Sequence, residues 1–140
     1  MEDAASHMTL SDDQFEQQFR DGTLDPAVFN HEAHLRLAWI HISRYGADQA
    51  IDNIREQLLH YVDLLGARDK YNVTLTIAAI KAVDHFMRKT QAADFAGFIG
   101  QNPRLQYHFK ELIAAHYGVD IFQSESAKLA FLEPDLLPFT

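Results

Sequence analysis

Between Tyr71 and Met87 apolar side chains point in nearly every direction around a helical axis. Tyr71, Val73, Leu75, Ile77, Ala78, Ala79, Ile80, Ala82, Val83, Phe86 and Met87 leave no polar face wide enough to meet water. Such a helix is stable only when other elements surround it, so this segment predicts the central, most buried helix of an all-α domain. The rest of the chain supplies its neighbours.

Helical start and stop signals recur on both sides. Ser11 followed by Gln14 predicts a capping box for a short helix through Phe15 and Phe19 that stops at Gly22. Asp25-Pro26 opens a turn, and Asn30 caps a helix from about His31 to Tyr45 that ends at Gly46. From Ala47 to Leu65, residues Ala50, Ile51, Ile54, Leu58, Tyr61, Val62 and Leu65 repeat at helical spacing before Gly66. Asp69 is the expected cap of the apolar helix that follows. A weaker piece around Ala92 to Ile99 precedes Asn102-Pro103, a cap and first-turn proline for a helix from Leu105 to Tyr117. After a short apolar turn near Ala127 to Phe131, Pro134 and Pro138 forbid a helix in the tail. Leu136, Leu137 and Phe139 there still call for burial, which predicts a tail lying in a groove or over a pocket mouth. No strand alternation, internal repeat or linker interrupts the series, and short loops imply antiparallel neighbours. The expected architecture is an irregular bundle of five or six helices forming one domain over residues 9–140.

Composition agrees with a folded domain and narrows its partners. At 140 residues and 47% hydrophobic content, with 10 Phe, 5 Tyr and 1 Trp, the chain can bury a core without staples. The 12 Lys and Arg against 20 Asp and Glu give a net charge of −8 with no basic run, a surface that repels nucleic acid and anionic membrane. With 0 Cys, disulfides, thiolate metal sites and thiol nucleophiles are excluded. No apolar stretch approaches the roughly 20 residues of a membrane span and no secretory signal is visible, so a cytoplasmic location is expected. Residues 1–8, ending in Ser6-His7-Met8, read as an expression-vector remnant and are set aside from fold and site reasoning.

The chemistry is concentrated in the helix that starts at His31. His31 falls near the centre of a stripe formed with Leu35, Ala38, Ile42 and Tyr45, and His34 and His41 overlie each other on its shoulder. Glu32 and Arg36 point away and are spaced to pair. On the apolar helix, Tyr71, Thr74, Lys81 and His85 fall in one narrow sector, a polar stripe on an otherwise greasy surface. If that stripe meets the histidines, the bundle encloses a polar pocket between the two helices. Each of these groups taken singly is equally well read as a scaffold residue bonded to a carbonyl.

Three readings follow. In the first, His31 and His34 at i, i+3 converge on a divalent metal with His85 or His41 as third nitrogen. The zincin pattern is absent because Leu35 stands where its second histidine belongs, and the carboxylate-bridged di-iron pattern finds no matching pairs. In the second, His31 or His34 acts as base on a small organic substrate, with Tyr71 and His85 as supporting donors and Arg36, Trp39, His41, Thr74 and Lys81 completing the binding surface. In the third, the chain is a non-catalytic module whose pocket or tail takes a ligand or partner helix through Trp39, Phe86 and Leu136 to Phe139. An exposed apolar strip on the 47–65 helix or the tail would favour a homodimer. His60, His108 and His116 are expected at solvated or rim positions, and no nucleophilic serine or phosphate-cradling loop is supported.

The residues His31-x-x-His34-x-Arg36-Leu37-Ala38-Trp39, followed by Tyr71-x-x-Thr74-x-Thr76, resemble a set of small all-helical bacterial proteins known only as uncharacterised. Their pattern reads His-x-x-His-x-Arg-x-Ala-Trp and then Tyr-His-Glu-Thr-x-Thr. The resemblance spans the three helices from His31 to Met87 and implies pocket roles for His31, His34, Arg36, Tyr71 and Thr74, without a reaction. The chain departs from the pattern at Asn72 and Val73. Ligands or catalytic groups at those two places in relatives would be missing here.

Overall fold

The computed structural model describes residues 6–139, and among these there are eight α-helices and no strand. They are α1 (Asp12–Asp21), α2 (His31–Tyr45), α3 (Ala47–Leu64), α4 (Val73–Met87), α5 (Phe95–Gln101), α6 (Pro103–Tyr107), α7 (Phe109–Ala114) and α8 (Glu125–Leu129), with short 3-10 turns at His7–Thr9, Pro26–Val28 and Arg68–Lys70. The count exceeds five or six because the short pieces expected near 92–99 and 127–131 form the brief helices α5 and α8, and because one expected helix is broken. The segment from Leu105 to Tyr117 is divided at His108, whose φ of −133° lies outside the helical range, into α6 and α7.

Local signals set most ends. Ser11 and Gln14 form the reciprocal capping box of α1, and Gly22 closes it at φ +80° in the left-handed region. Asn30 accepts the Ala33 amide at the start of α2. Gly46, at φ +85°, both closes α2 and opens α3, so the two helices reverse direction with no intervening loop. The start of α4 differs from expectation. Arg68–Lys70 winds into a 3-10 turn, Tyr71 is extended, and Asn72 rather than Asp69 supplies the cap by accepting the Leu75 amide.

Helix α2 packs on α1, α3, α4, α5 and α6, while α4 packs on α2, α3, α7 and α8. The centre of the bundle is therefore shared between these two 15-residue helices rather than held by α4 alone. The hydrophobic core includes Leu35 and Ala38 of α2 and Ile80 and Val83 of α4, together with Phe15, Phe19, Tyr61 and Phe98. Of the tail's apolar residues expected to be buried, only Phe139 is; Leu136 and Leu137 are exposed, and the tail is held by the turn that follows α7. The Leu136 amide donates to the His116 carbonyl, His116 Nδ1 donates to the Leu137 carbonyl, and Phe139 stacks on the His116 ring at 3.9 Å.

The segment 1–8 lies partly outside the described residues, which begin at Ser6. His7 is fully buried between Phe15 and Phe95, with Nε2 2.8 Å from Glu32 Oε1. Excluding it from fold reasoning hides the surroundings of Arg36, whose guanidinium donates to the His7 and Leu10 carbonyls and to Asp12.

No helix among the described residues is long and apolar enough to cross a membrane.

Candidate functional site

A cavity of about 530 Å³, open to solvent, lies where α2, α3 and α4 diverge near the starts of α2 and α4. Its depth is apolar: Leu35 and Ala38 of α2, Ile54 and Leu58 of α3, and Leu75 and Ile80 of α4. Aromatic rings of Phe29, Tyr61, Phe109 and Phe122 complete the wall. The polar groups include Asn30, His31, His34, Lys70, Tyr71, Asn72 and Thr76, and of these Asn30, His31, His34 and Lys70 are exposed and mark the open side. The spacing that produces this is helical. Asn72, Leu75, Thr76, Ala79 and Ile80 recur at i+3, i+4, i+7 and i+8 and so share one face of α4.

Two of the cavity's polar groups are already oriented. His34 Nδ1 lies 2.8 Å from the Asn30 carbonyl, one turn earlier in the chain, so this nitrogen carries the proton and Nε2 keeps its lone pair. His31 Nε2 lies 2.9 Å from the Leu105 carbonyl, which fixes the opposite tautomer and leaves Nδ1 as the acceptor. Neither second nitrogen has a hydrogen-bond partner among the described residues. The His34 ring stacks on Phe29 at 3.9 Å, and Phe29 in turn meets Tyr61 edge-on. Solvent reaches His34 through the cavity, yet protein crowds around it. The loss of hydration by the imidazolium lowers its pKa below 6.5, outweighing the upward pull of the Asn30 carbonyl, and His31 adds a further lowering. His34 is thus held neutral near pH 7, with a basic nitrogen free.

Of the nine residues singled out from the sequence, His31, His34 and Tyr71 meet at this cavity. The other six do not line it, for reasons visible in the packing. Around the α4 axis Thr74, Lys81 and His85 lie roughly 190° from the cavity face, so the polar stripe faces the C-terminal segment instead. Buried Thr74 donates to the Ala130 carbonyl and accepts from the Leu132 amide, each at 2.9 Å. Lys81 sits over the Phe131 ring at 5.9 Å, and His85 packs edge-on against Phe86. Burial followed by the Lys89, Arg88 and His116 charges lowers the His85 pKa.

On α2, His41 overlies His34 but stands about 10 Å further along the axis. It is buried against α3, with Nδ1 3.4 Å from Asn53 Nδ2 and no partner for Nε2. Arg36, expected to point away and pair with Glu32, is buried instead and holds the N-terminal segment; Glu32 bonds to His7 and Gln106. Trp39 packs beside Phe95.

The three-nitrogen set His31, His34 and His85 is therefore not assembled, since His85 lies on the far side of α4. Among the described residues no three His, Asp, Glu or Cys side chains come together in metal-binding geometry. Sequence reasoning missed Phe29, Tyr61, Lys70 and the cavity role of Asn72. For Asn72 a signal existed, because it lies on the same helical face as Thr76 and Ala79. Lys70 sits in a turn, where periodicity carries no information about direction.

No family model, curated protein or solved structure matches the chain.

Proposed function

We propose that the chain binds a small, largely apolar organic molecule in the α2–α3–α4 cavity, with His34, seconded by His31, accepting or returning a proton there. The observation that carries this is the pair of imidazoles on the open side of a 530 Å³ cavity, each tied to a main-chain carbonyl through one nitrogen and unpartnered at the other. Cavities of about 300–1,000 Å³ with apolar walls and a few oriented polar groups are the usual shape of small-molecule sites. A neutral imidazole with a fixed tautomer is suited to general-base work near neutral pH.

Metal-assisted chemistry has less support, because the cavity wall offers two imidazoles and no carboxylate. The motif resemblance bears on the same point. Asn72 lines the cavity where the similar pattern has His, so an imidazole at that place would be a third one in the wall. In this chain Asn72 is occupied as the α4 cap and as a donor to the Ile121 carbonyl.

The test is a fragment screen read by amide chemical shifts, run on the wild type and on Ala79→Phe, which fills the cavity from α4. Hits that move the amides of His31, His34 and Leu75 and vanish in Ala79→Phe support the reading. Hits that map elsewhere, or that survive the substitution, overturn it.

A further inference from the structure

The charge distribution of the cavity points to the chemical class of its ligand, an inference that rests on the binding role proposed above. We infer that the cavity takes an amphipathic monoanion: an apolar body seated among α2, α3 and α4, with a single carboxylate or similar head at the open side beside Lys70, His31 and His34.

Although the chain carries 20 acidic residues against 12 basic ones, no Asp or Glu lines the cavity among the described residues. Lys70 is the single formally charged side chain in the wall, and it makes no ion pair or hydrogen bond with any described residue. A wall of net positive sign inside a molecule of net charge −8 is the reverse of what composition alone would deliver.

The other polar features act in the same direction. Both 15-residue helices, α2 and α4, begin at the cavity, so the positive ends of their dipoles add to the field of Lys70. Low-dielectric walls concentrate that field. A cationic ligand would meet Lys70 without a counter-charge, and a polyanion would place its further charges against Leu35, Ile54 and Leu58, where an unpaired charge is costly. One negative charge at the mouth and carbon below it satisfies the whole wall.

Calorimetric titration of the full chain with octanoate, 4-phenylbutyrate and their neutral primary amides tests this, beside Lys70→Gln and, as a surface control, Lys89→Gln. At least one acid is expected to bind about tenfold tighter than its amide at low salt. That preference should shrink in Lys70→Gln, persist in Lys89→Gln, and weaken as salt is raised. Preference for octanoate identifies an aliphatic body, and preference for 4-phenylbutyrate an aromatic one. Equal affinity for acid and amide overturns the charge assignment while leaving small-molecule binding intact. An acid preference that Lys70→Gln does not change removes Lys70 from the head-group site and refutes the assignment as drawn. Absence of binding by all four, together with a fragment screen without hits in the cavity, overturns both readings.

Discussion

Thr74→Val separates a structural from a functional reading of the polar stripe on α4, because valine keeps the shape of threonine and removes only the hydroxyl. Thr74 is fully buried, and its Oγ1 joins two main-chain groups of the C-terminal segment, donating to the Ala130 carbonyl and accepting from the Leu132 amide. Each hydrogen bond is worth about 1–1.5 kcal/mol net when both partners are lost to solvent, and more if a group stays dry and unpaired. Residue Ala130 is exposed, so water can replace the lost donor there, whereas Leu132 is half-buried and less easily served. The sum is about 2–3 kcal/mol. For a domain of this size that corresponds to a fall in melting temperature of roughly 6–12 °C. Thr74→Ser, which keeps both bonds and loses one methyl, should cost under about 1 kcal/mol. Thermal melts measure the stability, and hydrogen exchange at Leu132 should accelerate in the valine variant alone. Ligand binding at the cavity should be unchanged in both, since Thr74 lies on the opposite face of α4. A Thr74→Val protein that melts within about 2 °C of wild type, or one that loses ligand while keeping its stability, would refute the structural assignment.

Three further outcomes are expected. His7, His34 and His41 all have pKa values lowered by burial, so the unfolded chain binds protons that the folded chain refuses. Their neutral forms cost nothing above the ordinary value of 6.5, and stability should fall as the pH drops below it; a melting temperature that rises between pH 7.5 and pH 5.5 would contradict this. Long-range nitrogen–proton correlation spectra should show His34 as the Nδ1–H tautomer and His31 as the Nε2–H tautomer at pH 7.5, and the reverse assignment in either would remove that ring's free nitrogen from the cavity chemistry. Gly22→Ala should destabilise by about 1–2 kcal/mol from the left-handed backbone alone, with more from the added Cβ approaching the Leu64 side chain. Denaturant melts would show it, and a neutral effect would place Gly22 outside the left-handed region.

How much of this was legible in the sequence depended on whether a residue acts on its own neighbours or across a gap. Capping is local, so Ser11 with Gln14, Asn30 before α2 and the glycine stops could be read directly, and with them the all-α class. Asp69 failed as a cap because Arg68–Lys70 makes a turn of its own and Asn72 competes one turn later, a choice between two adequate caps that local rules do not rank. The direction in which a helical face points is a different kind of fact. Thr74, Lys81 and His85 do share a sector, as their spacing requires, whereas Tyr71 is extended ahead of α4 and lines the cavity on the other side; the partner of a sector is set by the whole packing.

Periodicity therefore groups side chains correctly and leaves the group's orientation open by a half-turn. In α4 the two candidate faces were a polar stripe and an apolar one, and the cavity formed on the apolar face. The physical reason is that Thr74 and Lys81 are needed where an irregular segment packs on the bundle. Beyond the Ala130 amide, which caps α8, the chain from Ala130 to Leu132 has no helix or sheet to take its main-chain groups, so it draws on the Thr74 and Tyr117 hydroxyls, while Lys81 lies over the Phe131 ring. A polar stripe on a buried helix is as much a seat for an irregular segment as a catalytic surface. His31 and His34 differ from it because each spends only one ring nitrogen on a main-chain carbonyl and retains the other. An unpartnered ring nitrogen also occurs at His41, which is buried away from the cavity, so it is the free acceptor together with its place at the cavity mouth that supports the role proposed for His31 and His34.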